Sequence, residues 1–322
     1  MGSKCSCVTQ NNTSVLQEDM EIINIEDSKS KVEVLTDPPK SELLAPPLSP
    51  QPRTLKDWVQ SPSQLVRIAE ARVGQFVFPK VEGEEEDLGV PEYLENRTMY
   101  LGQKNAQGHK NGRGIYIWED GSKYVGYWRE DKANGFGRLV HADGDLYEGE
   151  WTHDRAHGQG KYIHFNGATY EGDWVEDRQN GQGKETWPDG ACYTGGYKDG
   201  LKHGYGEFLW SDGSVYKGDF QYNSIHGSGV YSWEDGRRYE GEWKDNKMHG
   251  KGVFVWPDGR EYRGGYVHDK KEGYGEFKWP SGKQYLGHWK AGKHHGRGTF
   301  QDAEGRVREG EWRKGKLVRW LD

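Results

Sequence analysis

Several residues in this 322-residue chain have types and spacings that suit chemistry. The chain begins Met1-Gly2-Ser3-Lys4-Cys5-Ser6-Cys7. This fits the M-G-x-x-x-[ST] pattern, with Gly2 as myristoyl acceptor after loss of Met1 and Ser6 at the required place. A single myristoyl chain binds membrane only marginally, so a second lipid is needed. Two of the 3 cysteines, Cys5 and Cys7, stand beside Gly2 and can carry it as palmitoyl thioesters. Lipidation at Gly2, Cys5 and Cys7 is therefore expected. Histidines recur in a fixed register, at His157, His203, His226, His249 and His295. A metal site needs ligands that converge on one point, and a row at fixed spacing reads as turn packing, so no metal and no other cofactor is expected. Paired carboxylates such as Glu148 and Glu150 recur copy after copy and do not single out one active site. The Gly-x-Gly copies lack the G-x-x-x-x-G-K-[ST] pattern of a phosphate loop. Cys192 has no counterpart in other copies and reads as a strand residue, not a nucleophile. Ser49-Pro50 and Ser61-Pro62 fit the pattern of proline-directed kinases. Asn11, Asn12 and Asn96 match the glycosylation pattern, but a myristoylated chain facing the cytosol would not meet that machinery.

The elements that must hold these residues are set by composition. The chain has 47 Gly, 14 Trp and 19 Tyr, with only 33% hydrophobic residues. Glycine is about twice its usual share, and aliphatic residues are too scarce for a large closed α/β core. No stretch approaches the ~18 apolar residues of a membrane-spanning helix, and no apolar run near the start reads as a secretory signal. So few cysteines exclude a disulfide framework and point to a reducing, cytosolic compartment. A net charge of −7 argues against nucleic acid as partner.

Composition changes abruptly near residue 98. Residues 1–98 hold 4 of the 47 glycines and 9 of the 12 prolines, while all 12 histidines and 13 of the 14 tryptophans lie beyond. Residues 1–98 carry 10 basic and 17 acidic side chains, which leaves 34 of each sign in the rest. Residues 1–7 read as the lipidation motif and 8–98 as a largely disordered, acidic, proline-containing tether. Within it, Pro38-Pro39, Pro46-Pro47, Pro50 and Pro52 make 37–53 stiff and extended. Ser61-Pro62 reads as N-cap and first helical residue, with Leu65, Ile68, Ala69 and Arg72 at helical spacing and Gly74 as the stop. The helix over 62–73 is either transient or docked on the downstream domain. Phe76-Val77-Phe78 is a short apolar run, and Glu84-Glu85-Glu86-Asp87 reads as a solvated linker.

Downstream, a repeat decides the fold. The tyrosine of Tyr-x-Gly falls at Tyr100, Tyr124, Tyr147, Tyr170, Tyr193, Tyr216, Tyr239, Tyr262 and Tyr285. Every step is the same except the first, from Tyr100 to Tyr124, which is longer by one position. A tenth, partial copy carries Arg308 in its place, followed by Gly310 and Trp312. Four positions after each tyrosine from Tyr124 on stands another aromatic: Trp128, Trp151, Trp174, Tyr197, Phe220, Trp243, Tyr266 and Trp289. In a strand, residues i, i+2 and i+4 face one way. Tyr239, Gly241 and Trp243 thus share a face, and the glycine leaves room for both rings. Asp-Gly pairs such as Asp235-Gly236 predict hairpin turns, and His249-Gly250-Lys251-Gly252 is expected to bend the chain into the second strand. Each unit is then a hairpin that buries its aromatic face only against its neighbours. The fold class is all-β: an elongated antiparallel β-hairpin solenoid of nine to ten units over 99–315, with 316–322 as a C-terminal cap. At ~4.8 Å per strand it would extend on the order of 90–100 Å, with no deep cavity.

These residues resemble the MORN (membrane occupation and recognition nexus) repeat, with its Tyr-x-Gly-x-Trp, Gly-x-x-His-Gly-x-Gly and Asp-Gly. Tyr147-Glu148-Gly149-Glu150-Trp151 with His157-Gly158-Gln159-Gly160 is a near-ideal copy. Asn111, Asn134, Asn180 and Glu272 depart from the histidine, and the end units are degraded. The resemblance implies a non-catalytic array. Such arrays occur at junctional membranes, in ciliary radial spokes, in apicomplexan cytoskeletal rings and beside plant phosphatidylinositol phosphate kinases. The expected function is a membrane-anchored scaffold that recruits protein partners. The alternatives are a structural part of a cilium, axoneme or other cytoskeletal assembly, and a regulatory partner of a phosphoinositide kinase. The expected location is the cytoplasmic face of the plasma or ciliary membrane. The charge-balanced array offers no bulk attraction to anionic lipid, so any phospholipid contact by the repeats is weak, and Lys270-Lys271 and Lys290 with Lys293, His294 and His295 read as solvated clusters. Exposed edge strands make a homodimer a further option. The eight tyrosines from Tyr124 on and the eight aromatics paired with them form rows that serve structure or partner binding.

Overall fold

The computed structural model describes residues 59–79, 87–94 and 97–321. Gly2, Cys5, Cys7, Ser49, the stretch 37–53 and the three candidate glycosylation asparagines lie outside the described residues, as do Glu84–Glu86. The described residues contain one α-helix, α1 (Gln64–Val73), and strands β1 (Glu92–Tyr93) to β21 (Lys316–Trp320). The strands form one open antiparallel sheet of 21, each paired with its neighbours in sequence.

One unit explains the rest. β14 (Arg238–Lys244) and β15 (Lys247–Val255) are joined by Asp245-Asn246, with φ of 50° and 64°. That is a two-residue turn whose twist matches the flanking strands. It corrects the expected bend at His249-Gly250-Lys251-Gly252, which lies inside β15. Asp and Asn tolerate positive φ because their short polar side chains bond locally, so the turn signal was Asp-Asn. The His-Gly stretch instead hosts a bulge. Gly241 pairs with Gly252, but the next pair is Glu242 with His249, which leaves Gly250 and Lys251 without opposites. At the other edge, Asp258-Gly259 turns the chain into β16 (Glu261–Val267). The Gly259 N–H donates to the Trp256 carbonyl at 3.0 Å and the Trp256 N–H to the Arg260 carbonyl at 2.9 Å. Gly259 takes φ +86°, which an L side chain rarely adopts.

The compact unit that holds the sheet begins at Val59, upstream of the change in composition. α1 docks on the sheet face opposite the Tyr–Trp rows. Its cap is Ser63, whose hydroxyl accepts the Val66 N–H, and not Ser61. The docked face carries Val66 and Ala69, packed with Val73 on Val140, Leu146 and Ile163, while Leu65 points outward. The expected stripe of Leu65, Ile68, Ala69 and Arg72 thus misses the contact by a fraction of a turn. Glu70 pairs with Lys123 at 2.7 Å, and the Arg138 Nη1 donates to the Gly74 carbonyl at 2.6 Å. Phe76 stacks on Phe136 at 5.9 Å, and Phe78 meets Tyr127 edge-on at 5.6 Å.

Candidate functional site

The repeat places each tyrosine ring across its own bulge. The Tyr239 hydroxyl donates to the Glu242 carbonyl at 3.0 Å, three positions on. That carbonyl lies beside the bulge and is part-buried at this bond, and a carbonyl that loses water there needs a donor. A Cβ on Gly241 would stand 2.6 Å from both the Tyr239 hydroxyl and the Gly252 Cα. The Tyr-x-Gly and Gly-x-Gly spacings therefore describe one object: a phenol lying over a facing pair of glycines to cap a bulge. The same bond runs from Tyr124, Tyr147, Tyr170, Tyr193, Tyr216, Tyr262 and Tyr285 to the third residue on. Burial raises the pKa of the Tyr124, Tyr147, Tyr193, Tyr216, Tyr239, Tyr262 and Tyr285 phenols above the usual range, to about 12 at Tyr285.

The paired aromatics fill the joints between units. Trp243 meets Tyr239 edge-on at 5.0 Å and Tyr216 of the preceding unit at 5.7 Å. Its indole N–H donates to the Gly229 carbonyl at 3.3 Å. The eight tyrosines are at most 2% exposed and the eight paired aromatics at most 7%. The structure thus brings all sixteen together in one edge-to-face stack inside the array, where their surface is spent on packing.

A second joint has a sequence signal in the same turns. The Asn246 Oδ1 accepts the Ile225 N–H at 2.7 Å, and the Asn246 N–H donates to the Ile225 carbonyl at 3.0 Å. This two-point clamp ties the turn to the unit before it and recurs at Asp131, Asp154, Asp177, Asn223 and Asp269. Asp or Asn at the second turn position marks it in these six units, while Gly200, Gly292 and Gly315 take that place in three others and keep only the backbone bond.

Surface that a partner can reach lies elsewhere. Trp187, Trp210, Trp233 and Trp279 are half-buried, with Trp256 at 9% exposure. They alternate with Phe208, Tyr231, Phe254 and Phe277 in an unbroken ladder at the Asp-Gly edge, with ring centroids 4.4–5.5 Å apart. Arg237 and Arg260 lie 5.3 Å over Trp233 and Trp256. On the face that α1 covers further upstream, Tyr205 and Tyr274 are 66% and 58% exposed. The spacing of these tryptophans was visible in the sequence, but only burial separates them from the rows within.

Lys271 and His294 are titratable side chains inside the array. Lys271 is buried with its Nζ 4.5–5.0 Å from the rings of Trp256, Tyr262, Phe277 and Trp289. Burial, reinforced by the charge of Arg260, lowers its ammonium to about 7. In the next unit, burial and then Lys271 lower His294 to about 4. So the expectation that Lys271 and His294 belong to solvated clusters is corrected: one lies within an aromatic box, and the other stacks 3.9 Å from the Tyr285 ring centroid. Cys192 is half-buried in β10 (Cys192–Lys198). Among the described residues no three His, Cys, Asp or Glu side chains gather as a metal site, and no helix is long and apolar enough to cross a membrane.

Comparison with known proteins gives one sequence family and a set of distant structures. No curated protein matches the chain. The TCP10 domain of Danio rerio CPAP, solved with a STIL peptide, is 13% identical, with 69% of this chain and 99% of that chain covered and a TM-score of 0.40. The Drosophila melanogaster SAS-4 TCP domain, solved with a proline-rich motif of Ana2, is 13% identical, with 57% and 96% covered and a TM-score of 0.30. The MORN repeat matches nine times, from residues 106–123 to 285–305. Most of these matches open on the tyrosine that caps a bulge, and together they take up more than half of the sequence. By this measure the chain is a member of the MORN repeat family.

Proposed function

We propose that this chain is a non-catalytic scaffold, held on the cytosolic face of a membrane by acyl chains at Gly2, Cys5 and Cys7, whose repeat array recruits a protein partner. The observation that carries the recruiting role is the division of the aromatics. One set is consumed within the array, and from the other, Trp187, Trp210, Trp233 and Trp279 stand partly exposed at one edge at a regular spacing, with Trp256 of the same row buried. A surface that repeats with every unit suits an extended partner that meets several units at once. Half-buried tryptophan with adjacent arginine is also the composition of strong protein contacts. The anchoring role rests on the N-terminal motif and on the two-signal logic of acyl anchors.

The test is fractionation of wild type, Gly2→Ala and Cys5→Ser/Cys7→Ser chains made in a eukaryotic cell. Wild type is expected with membranes and both variants in the soluble fraction. If all three are soluble, the anchor is wrong. If all three resist detergent with the cytoskeleton, the chain is an axonemal or cytoskeletal part. If all three float with lipid, the repeats themselves bind membrane.

A further inference from the structure

Ser61 is the most enclosed polar residue of the segment that precedes the sheet, at 1% exposure. Its hydroxyl donates to the Gly121 carbonyl at 2.5 Å and accepts the Ser63 N–H at 3.1 Å. Ser63 in turn donates to the Ala142 carbonyl at 3.2 Å. Residues 61–63 are thus pinned to two successive Asp-Gly turns, at Gly121 and beyond Ala142. The seat is tight, for a Cβ at Gly121 would stand 2.7 Å from the Ser63 Cβ. Pro62 follows Ser61, and this dipeptide is the pattern that proline-directed kinases take.

We propose that Ser61 is a phosphorylation site of a proline-directed protein kinase, and that its phosphorylation releases the 59–79 segment, with α1, from the sheet. In the transfer, the Ser61 Oγ attacks the γ-phosphorus of ATP. The Oγ–P bond forms, the bond from that phosphorus to the ADP oxygen breaks, and the hydroxyl proton passes to the kinase's base. The product no longer has the O–H that bound Gly121. It places roughly −1.5 to −2 charge and three acceptor oxygens against a carbonyl, in a seat with no space for them. The nearby cation is Arg67, whose Nη1 donates to the Ser61 and Pro62 carbonyls at 2.7 and 2.9 Å. Arg67 belongs to the segment itself, so it pairs with the phosphate equally well off the sheet. Once released, so short an isolated helix is marginal in water.

Because Ser61 is buried when docked, the kinase acts on the open state and traps it. Release uncovers Val140, Leu146 and Ile163 and frees Lys123 from Glu70, while Arg138 keeps its pair with Glu148 on the sheet. The modification thus exchanges an intramolecular contact for an exposed apolar strip beside the freed Lys123.

The experiment uses the full chain in a Ser49→Ala background, which leaves Ser61 as the Ser-Pro site. Chains with Ser61 intact, with Ser61→Ala and with Val66→Asp are treated with a purified proline-directed kinase and ATP. Phosphate incorporation and hydrogen exchange of the α1 amides are read by mass spectrometry. Val66→Asp opens the dock without touching the dipeptide and is expected to speed phosphorylation at least ~10-fold, by raising the open population. Phosphorylation of the intact chain is expected to lower α1 protection at least ~10-fold while the sheet amides keep theirs. The Ser61→Ala chain should keep its protection under the same treatment. Two results overturn the proposal: Ser61 left unmodified in the Val66→Asp chain, or Ser61 modified in the intact chain with α1 protection unchanged.

Discussion

At the residue scale, the tyrosine of each repeat acts through its hydroxyl as much as its ring. Tyr239→Phe keeps the ring and removes the donor to the part-buried Glu242 carbonyl. It is expected to cost about 1–2 kcal/mol, seen as a lower urea midpoint at unchanged slope. Gly241→Ala pushes a methyl into the Gly252 backbone and the phenol, where neither can give way. A loss of about 2–3 kcal/mol is expected, larger than for Tyr239→Phe. An alanine tolerated at Gly241 would contradict the reading of the glycine pair. The interior cation gives a pH signature. The unfolded chain holds the Lys271 proton up to its ordinary value of 10.5, while the folded chain releases it near 7. The unfolded state therefore binds more protons between those limits, and stability rises with pH across that window. The full cost of burying the charge stands below pH 7, partly offset by the four ring faces. Lys271→Met, with the residue that Met248 supplies in the preceding unit, should flatten the slope and stabilise the chain at pH 7 by on the order of 1 kcal/mol. His294 acts at the acid end. Its folded value near 4 lies below the ordinary 6.5, so its contribution is lost as pH falls through that interval. Thermal denaturation of the wild type and the Lys271→Met chain against pH checks both ends. The sequence showed Lys271 as the second of two lysines and could not show that the pleat turns it inward.

At the element scale, the hairpins are joined by backbone geometry that the sequence marks twice. The Asp-Gly turn was legible because glycine there has a single reason to recur. The Asp245-Asn246 turn was not, because Asp and Asn are also common on exposed strand ends, and the neighbouring glycines offered a more familiar bend. The clamp from Asn246 to Ile225 makes that turn do two jobs. Asn246→Ala loses a side chain that tolerates positive φ and leaves the Ile225 N–H without its acceptor, for an expected loss of about 2 kcal/mol. Asn246→Asp restores both functions, as Asp269 and Asp154 do in other units, and should cost little. Equal losses for the two variants, measured by urea denaturation, would remove the clamp from the account. α1 shows a different limit of sequence reading. Its periodicity was visible, but the choice between two adjacent stripes depended on Val140 and Leu146, which lie far downstream on the sheet.

At the scale of the whole molecule, the meander makes each unit answer only to its neighbours. Removing residues 216–238, one full period, should leave a shorter sheet of the same kind, because the new junction joins equivalent positions. Far-UV circular dichroism should keep its strand character, and the urea slope should fall by roughly a tenth, in proportion to the surface lost. Removing half a period would reverse every later strand and is expected to abolish folding downstream. The array was legible at this scale because a constant period repeats the same demand from Tyr124 to Tyr285, and one misread turn does not alter it. The division between the buried rows and the partly exposed tryptophans was not legible, since both are aromatic and both keep the period. Recruitment is tested most directly by moving the array. Residues 1–7 are replaced by an anchor for the outer mitochondrial membrane, and the proteins that gather there are compared with those drawn by the anchor alone. A defined set that follows the array and is missing from the anchor alone is the expected result. An identical set in both would contradict the claim that the repeats recruit.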